Sequence, residues 1–264
     1  MCDLVDARRT AEIVGALRPD AVIHTQALSD VDRCELEPEA ARAQNVDATA
    51  NLLQALSRAQ APGGGDRALL VYVSTDYVFD GAKGTPYDEE DEPRPISVYG
   101  RSKREAEQLA LGYPRGVVVR PSTLFGPGRA NFCDTIVARL RAGEPVEAFS
   151  DQVTSPTYTV DLAEGLEALC AALGGAGTPP PARVVHVANA GGASRVAFAQ
   201  RIAALIGGSP DLVRPIPMAA QGRPAARPAY SALTTIHLAR LIGRRLRPWD
   251  DALHAYLHQA PSRN

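Results

Sequence analysis

Lysine is scarce in this chain of 264 residues: Lys83 and Lys103 are the two among 28 lysines and arginines. Arginine carries nearly all the positive charge, so a lysine at position 103, flanked by Arg101 and Arg104, needs a reason other than charge. A basic excess is also absent. The net charge of −2 provides no field for nucleic acid or an anionic membrane, and argues against both as partners. Cys2, Cys34, Cys133 and Cys170 are scattered, with no Cys/His spacing of the metal-binding kind. That argues against a zinc site or a disulfide framework and fits a reducing compartment. No apolar run approaches the ~18 residues of a membrane span, and the opening MCDLVDARRT has no apolar signal core. A soluble, cytoplasmic protein is expected.

What is present is an alternation of helices and short apolar strands. Thr10 to Asp20 has apolar residues at helical spacing and stops at Pro19, after which Ala21 to His24 reads as a buried strand. A helix over about Pro38 to Ala59 ends in APGGGD, and ALLVYVS (Ala68 to Ser74) reads as a strand buried on both faces. Helix Val98 to Leu111 then leads to strand Gly116 to Arg120, helix Asp134 to Arg141 to strand VEAF, and helix Val160 to Leu173 to strand Arg183 to Asn189. Helices and strands of these lengths in this order predict an α/β fold, a doubly wound parallel sheet. After Asn189 the pattern loosens into helix Arg195 to Ile206, a proline-rich stretch from Pro210 to Pro228 and two short helices, which reads as a smaller C-terminal lobe. The acidic run DEEDE (Asp88 to Glu92) reads as solvated surface.

A glycine-rich turn between a first strand and a first helix, the feature that holds a pyrophosphate, is missing. The glycine clusters at 63–65, 126–128 and 191–192 fall elsewhere. The chain opens almost directly on a helix, so the expectation is a Rossmann-like fold, N-terminally truncated, without its first strand, phosphate loop and second strand.

Tyr99 and Lys103 are four residues apart at the start of a helix and so share a face, one turn apart. A phenol with a free pKa near ~10 is a poor acid at neutral pH, and a neighbouring ammonium lowers that value by stabilising the phenolate. The pair can then pass a proton to a substrate oxygen. Lysine suits the position because a flexible ammonium points at several acceptors at once, where the arginine fork cannot. Ser74 and Thr75 end a buried strand, on the side where open parallel sheets bind ligands, and add a hydroxyl to the pair. His254 and His258 share a helix face without a third ligand and read as a surface pair, and no metal is expected.

The stretches LRPDAVIH, VSTDYVFDG, ISVYGRSKREAE, VVVRPSTLFGPGRANF, DQVTSPTYTVDLA and RPAYSAL come in the order of the extended short-chain dehydrogenase/reductases. Within them the chain resembles the dTDP-4-dehydrorhamnose reductase family. The resemblance implies a homodimeric, two-lobed enzyme that reduces the C4 ketone of a nucleotide-diphosphate sugar with hydride from NADPH or NADH. Residues 1–125 and 150–190 would form the cofactor-binding domain, and 126–149 and 191–264 the substrate-binding lobe. Tyr99 would be the proton donor, Lys103 would bind the nicotinamide ribose and tune Tyr99, and Thr75 would bond the sugar oxygen. By the same resemblance Asp3, Leu4, Gln26, Ala27, Ser29 and Asn45 fall on the cofactor path, and Asp76, Tyr77, Asn131 and Arg227 on the substrate. Thr123 stands where the family has a tryptophan that stacks on the sugar nucleotide, and HTQA replaces a run of small residues, with His24 read as a packed strand end. A related epimerase or dehydratase, or a non-catalytic subunit like methionine adenosyltransferase beta, is the alternative.

Overall fold

In the two most apolar runs of the chain, successive side chains point to opposite sides of one sheet, as a strand period of two requires. Leu69 and Val71 join Val117 and Val119 in one core, while Leu70 and Tyr72 join Val118 in another. This architecture was obtained as a computed structural model, which describes residues 3–59, 68–128, 130–174 and 180–258. The glycine linker at 63–65 and residues 175–179 of the later loop lie outside them.

Helix α1 (Ala7–Leu17) starts where the Asp6 carboxylate accepts the Arg9 amide and stops at Arg18, which takes a left-handed conformation ahead of Pro19. Strand β1 (Ala21–His24) follows, then α2 (Val31–Leu36), α3 (Pro38–Arg42) and α4 (Ala48–Arg58). A π-helical turn, Ala43–Asp47, joins α3 to α4, so the single helix read from the sequence carries a bulge at Asn45. Strand β2 (Leu69–Val73) leads through a short 3₁₀ turn, Asp76–Val78, to α5 (Val98–Gly112) and β3 (Gly116–Arg120). Next come β4 (Leu124–Phe125), α6 (Phe132–Arg141), β5 (Val146–Phe149), β6 (Val153–Thr154), β7 (Thr157–Tyr158), α7 (Thr159–Leu173) and β8 (Val184–His186). The chain ends in β9 (Ala193–Ser194), α8 (Arg195–Leu205), β10 (Val213–Ile216), α9 (Ile236–Ile242) and α10 (Trp249–His258).

The main sheet has the order β1-β2-β3-β8, all parallel. Leu162, Leu166, Leu169 and Leu173 of α7 cover one face together with Leu238 of α9. Val14, Leu52, Leu56, Ala106 and Ala110, from α1, α4 and α5, cover the other. Both faces are therefore closed by helices, the doubly wound arrangement that the alternation implies. A third core gathers Phe125, Ile136, Val146, Tyr158, Phe198, Ile202 and Leu253, and it supports a separate two-stranded sheet of β5 and β10. Helix α9 packs on the main sheet rather than on this core, so the segment after residue 191 contributes to both.

Three elements depart from the sequence reading. VEAF is a strand, but it pairs with β10 and not with the main sheet. β10 itself lies inside the proline-rich stretch, with Pro215 in a two-stranded ribbon where a missing amide can face outward. In the acidic run, Glu89 is buried and its Oε1 accepts the backbone amides of His186, at 3.3 Å, and His237, at 3.0 Å. That carboxylate ties a loop to β8 and to the first turn of α9, and only its neighbours are surface. Asp91 pairs there with Lys83, the second lysine.

Candidate active site

Strand β2 delivers Ser74 and Thr75 to its C-terminal end, and Thr75 caps the 3₁₀ turn by accepting the Tyr77 amide at 3.1 Å. Helix α5 begins opposite, capped by Ser97, whose hydroxyl accepts the Gly100 amide at 3.1 Å. The two backbones touch at Gly100, where a Cβ would sit 2.3 Å from the Tyr77 carbonyl oxygen, so only glycine permits this approach. Its consequence is that Tyr99 meets Tyr77 edge to face, ring centroids 6.0 Å apart. One turn on, Lys103 is 2 % exposed, donates to the Val73 carbonyl at 2.8 Å and lies 4.3 Å from the centroid of the Tyr72 ring.

Burial sets the electrostatics here. It pushes the Lys103 ammonium down to about 7, with the nearby Glu107 opposing the shift. Glu107 is itself buried and held by Arg120 through two 2.8 Å bonds, one to each carboxylate oxygen. Burial raises the Tyr99 phenol well above its ordinary value; the Thr75 hydroxyl opposes this, and Asp76, Tyr77 and Cys34 add to it. The lowering of the Tyr99 phenol by Lys103 expected from the sequence is not found, because desolvation dominates and Lys103 is directed at Val73. His24 is buried by packing on Tyr72 and by a 3.0 Å bond with Thr49, and desolvation followed by the charge of Lys103 lowers it to about 4. It is a packed strand end.

Asp76 does not point into open space. Its Oδ2 accepts the hydroxyls of Ser122, at 2.8 Å, and Ser231, at 2.6 Å, and its Oδ1 accepts that of Thr75 at 3.2 Å. Burial raises its carboxyl, while the three hydroxyls and Arg195 pull it down.

On the side of β1, Gln26 donates to Gln44 at 3.4 Å, while its Oε1 is buried without a hydrogen-bond partner among the described residues. Ala27 and Ser29 continue that loop, partly and fully exposed. Asn45 is committed elsewhere: it takes the Leu28 amide at 2.7 Å, returns a bond to the Leu28 carbonyl at 3.2 Å and donates to Ser102 at 2.9 Å. It shapes the loop after β1 rather than presenting a free group. Leu4 lies against α4, where its carbonyl accepts from Asn51 at 3.0 Å, and the exposed Asp3 accepts the Val5 amide at 3.0 Å. Lys103 has N–H groups beyond the one given to Val73, and Gln26 has a buried oxygen without a partner among the described residues, bonding groups of the kind that would hold a dinucleotide.

A cleft of about 730 Å³ opens beside Tyr77, between α2, α6 and the β5/β10 sheet. Arg195, Arg214, Arg223 and Arg227 line it, with Gln152 and Phe132. Arg227 makes a two-pronged pair with Asp32, at 3.0 and 2.7 Å, and this lowers the Asp32 carboxyl. Arg195 donates to Gln152 at 3.0 Å and to Thr123 at 3.1 Å and lies over Phe132. Gln152 reaches on to the Tyr77 hydroxyl at 3.3 Å, so the cleft is wired to the tyrosine pair. Asn131 is not among the lining residues; it caps α6 and its side chain is engaged by Gly126, Cys133 and Asp134. Arg195 and Asp32 are not singled out by the sequence reading, and Gln152 lies in the DQVTSPTYTVDLA stretch without a role assigned to it; the serine cap just before Arg195 is a signal for where α8 starts. Among the described residues no group of three or more His, Cys, Asp or Glu could hold a metal ion.

The family model described as RmlD substrate binding domain matches residues 1–261. The dTDP-4-dehydrorhamnose reductase of Mycolicibacterium smegmatis is 36% identical over 255 residues, covering 96% of this chain and 73% of the relative. That of Streptomyces griseus is 38% identical, covering 95% and 80%. Among solved structures, the dTDP-4-dehydrorhamnose reductase of Bacillus anthracis in complex with NADP superimposes with a TM-score of 0.87 at 30% identity, covering 98% of this chain and 87% of that one. A dTDP-glucose 4,6-dehydratase of the same organism, at 17% identity and a TM-score of 0.78, shares the fold.

Proposed function

The chain belongs to the RmlD substrate binding domain family, and on that footing we propose that it reduces the C4 ketone of a nucleotide-diphosphate sugar, dTDP-4-dehydrorhamnose, to the alcohol of dTDP-rhamnose. The observation that carries this reading is the convergence of Thr75, Tyr99 and Lys103 at the C-terminal end of β2, next to an arginine-lined cleft. The alternative of a non-catalytic subunit gains nothing from that convergence.

A bound nicotinamide cofactor, NADPH or NADH, supplies the hydride. Lys103, Gln26, Ala27 and Ser29 would hold it, with Asp3 and Leu4 towards its far end and Asn45 supporting the loop. Tyr99 keeps its phenolic proton because burial disfavours the phenolate, and it gives that proton to the C4 oxygen as negative charge develops there. Lys103 lies one helical turn away with its ammonium turned to the Val73 carbonyl, placed to bond the cofactor rather than the phenolate. Thr75 and Tyr77 bound the sugar site beside Tyr99. In the cleft, Arg227 and Arg223 offer guanidinium groups to the diphosphate by charge-assisted bonds. Residues 1–125 and 150–190 form the cofactor side and 126–149 and 191–264 the substrate side of this reading, and Asn131 contributes by holding α6 at the cleft wall.

The finer reading is a cytoplasmic homodimer, paired through the helical stretch from about Pro38 to Ala59, α3 and α4, and through α5; no helix among the described residues is long and apolar enough to cross a membrane. Sedimentation at micromolar concentration gives twice the chain mass if the pairing holds. The function itself is tested by mixing the chain with dTDP-4-dehydrorhamnose and each reduced cofactor. Stoichiometric cofactor oxidation with formation of dTDP-rhamnose is expected, and no oxidation with either cofactor overturns the reading.

A further inference from the structure

Strands β6 and β9 run antiparallel with Val153 opposite Ser194, and this register sets Gln152, just before one strand, beside Arg195, just after the other. The contact is double: the Arg195 backbone amide donates to the Gln152 carbonyl at 3.2 Å, and its Nε donates to the Gln152 side-chain oxygen at 3.0 Å. Nη2 donates to the Thr123 hydroxyl at 3.1 Å, and the guanidinium carbon lies 4.6 Å from the centroid of the Phe132 ring. The plane of the Arg195 guanidinium is therefore fixed by the chain itself.

A guanidinium has five N–H groups, and Arg195 gives two of them to neutral oxygens. Among the described residues its Nη1 makes no hydrogen bond, and Arg195 forms no ion pair. The other arginines of the cleft differ. Arg227 gives Nη1 and Nη2 to the two oxygens of Asp32, Arg223 approaches the same carboxylate at 3.8 Å, and Arg139 faces Glu144 at 3.5 Å. Arg214 is exposed on β10, where water screens its charge. Arg195 is half-buried with its charge uncompensated, and burial, followed by the charges of Arg223 and Arg227, lowers its proton affinity against the opposing pull of Tyr77 and Asp76. An anion bound at Nη1 relieves that cost.

Its place in the cleft says which anion. Gln152, which holds Nε, donates in turn to the Tyr77 hydroxyl at 3.3 Å, and the Tyr77 ring meets that of Tyr99. Arg195 thus stands at the end of the cleft nearest the proton donor, where the sugar lies. We propose that Arg195 anchors the phosphate bonded directly to the sugar, its Nη1 donating to a phosphate oxygen, so that the chain distinguishes a nucleoside diphosphate from a monophosphate. The inference deepens the function proposed above and takes its ligand from it. It explains why Arg195 is braced by an amide and a hydroxyl: these orient the fork and leave its charge available, whereas a carboxylate at either place would neutralise it and repel the phosphate.

Calorimetric titration with dTMP and dTDP reads the two phosphates separately and needs no turnover. The unaltered chain should bind dTDP about tenfold or more tightly than dTMP, the size of one charge-assisted bond. Arg195→Met keeps an unbranched stem against Phe132 and removes the fork. It should weaken dTDP about tenfold or more and leave dTMP within about twofold. Equal weakening of the two nucleotides assigns Arg195 to the cleft wall or to the other phosphate and overturns the proposal, as does no weakening of either. Equal affinity of the unaltered chain for dTMP and dTDP overturns it even where Arg195→Met does not fold. Where neither thymidine nucleotide binds, UMP and UDP take their place: a loss confined to the diphosphate sinks the dTDP-sugar reading and leaves the anchor standing, and no binding of either pair overturns the proposal. A chain that shows the diphosphate-specific loss yet oxidises neither cofactor with dTDP-4-dehydrorhamnose likewise sinks the proposed function alone.

Discussion

The seat of Lys103 and the arginine cleft are both cationic, yet they handle charge in opposite ways. At Lys103 a single ammonium is buried against a carbonyl and a ring face, and its proton affinity falls to about 7. In the cleft the guanidinium groups are held by fixed partners; Arg227, its side chain only 10% exposed, is paired with Asp32, and Arg195, which burial pushes below its ordinary value, is braced by neutral acceptors. The first arrangement changes what a side chain can do chemically, while the second keeps an ordinary charge in a fixed place. Lysine suits one because burial can bring its proton affinity near neutrality, and arginine suits the other because it stays charged even where burial lowers that affinity.

The contrast breaks most sharply at Tyr99. Tyr99→Phe removes the proton donor and should lower kcat by about 10²- to 10⁴-fold, with little change in nucleotide-sugar affinity measured by calorimetry. Next in size is the support under Lys103. Glu107→Gln leaves Arg120 buried without its carboxylate, and denaturant unfolding should show a loss of about 3–5 kcal/mol. Lys103 itself sharpens the comparison through pH. Its folded value of about 7 lies below its ordinary 10.5, so between those values the unfolded chain binds more protons than the folded one, and stability contributed by this group rises with pH across that window. Lys103→Met should flatten that rise in unfolding free energy. In the cleft the effects are smaller: Arg227→Ala should raise KM for the sugar nucleotide roughly tenfold through one charge-assisted contact, with kcat nearly unchanged.

The same division governs what the sequence reveals. Strands Ala21–His24 and Gly116–Arg120 are readable to the residue, but only the second is the fully buried strand that an apolar run implies; Ala21–His24 lies at the edge of the described sheet and buries His24 alone. Tyr99 and Lys103 are readable because a helix turns a spacing of four into adjacency. The state of the Tyr99 phenol is not, since it is set first by burial and then by Thr75, Asp76, Tyr77 and Cys34, which come from other elements and meet only in the fold. β10 is hidden for a related reason: one strongly buried residue, Val213, and a proline give no strand pattern, and its pairing with β5 is made across more than sixty residues of chain. Arg195 becomes part of the cleft only when α8 docks beside α6.

The Glu89 carboxylate, which accepts two amides from distant parts of the chain, has a consequence in time as well as in space. The His186 and His237 amides share one acceptor oxygen, so their exposure to solvent is governed by the same local opening. Withdrawal of that one side chain unlocks the end of β8 and the first turn of α9 together, and the two amides exchange their hydrogens as a unit rather than as members of separate elements.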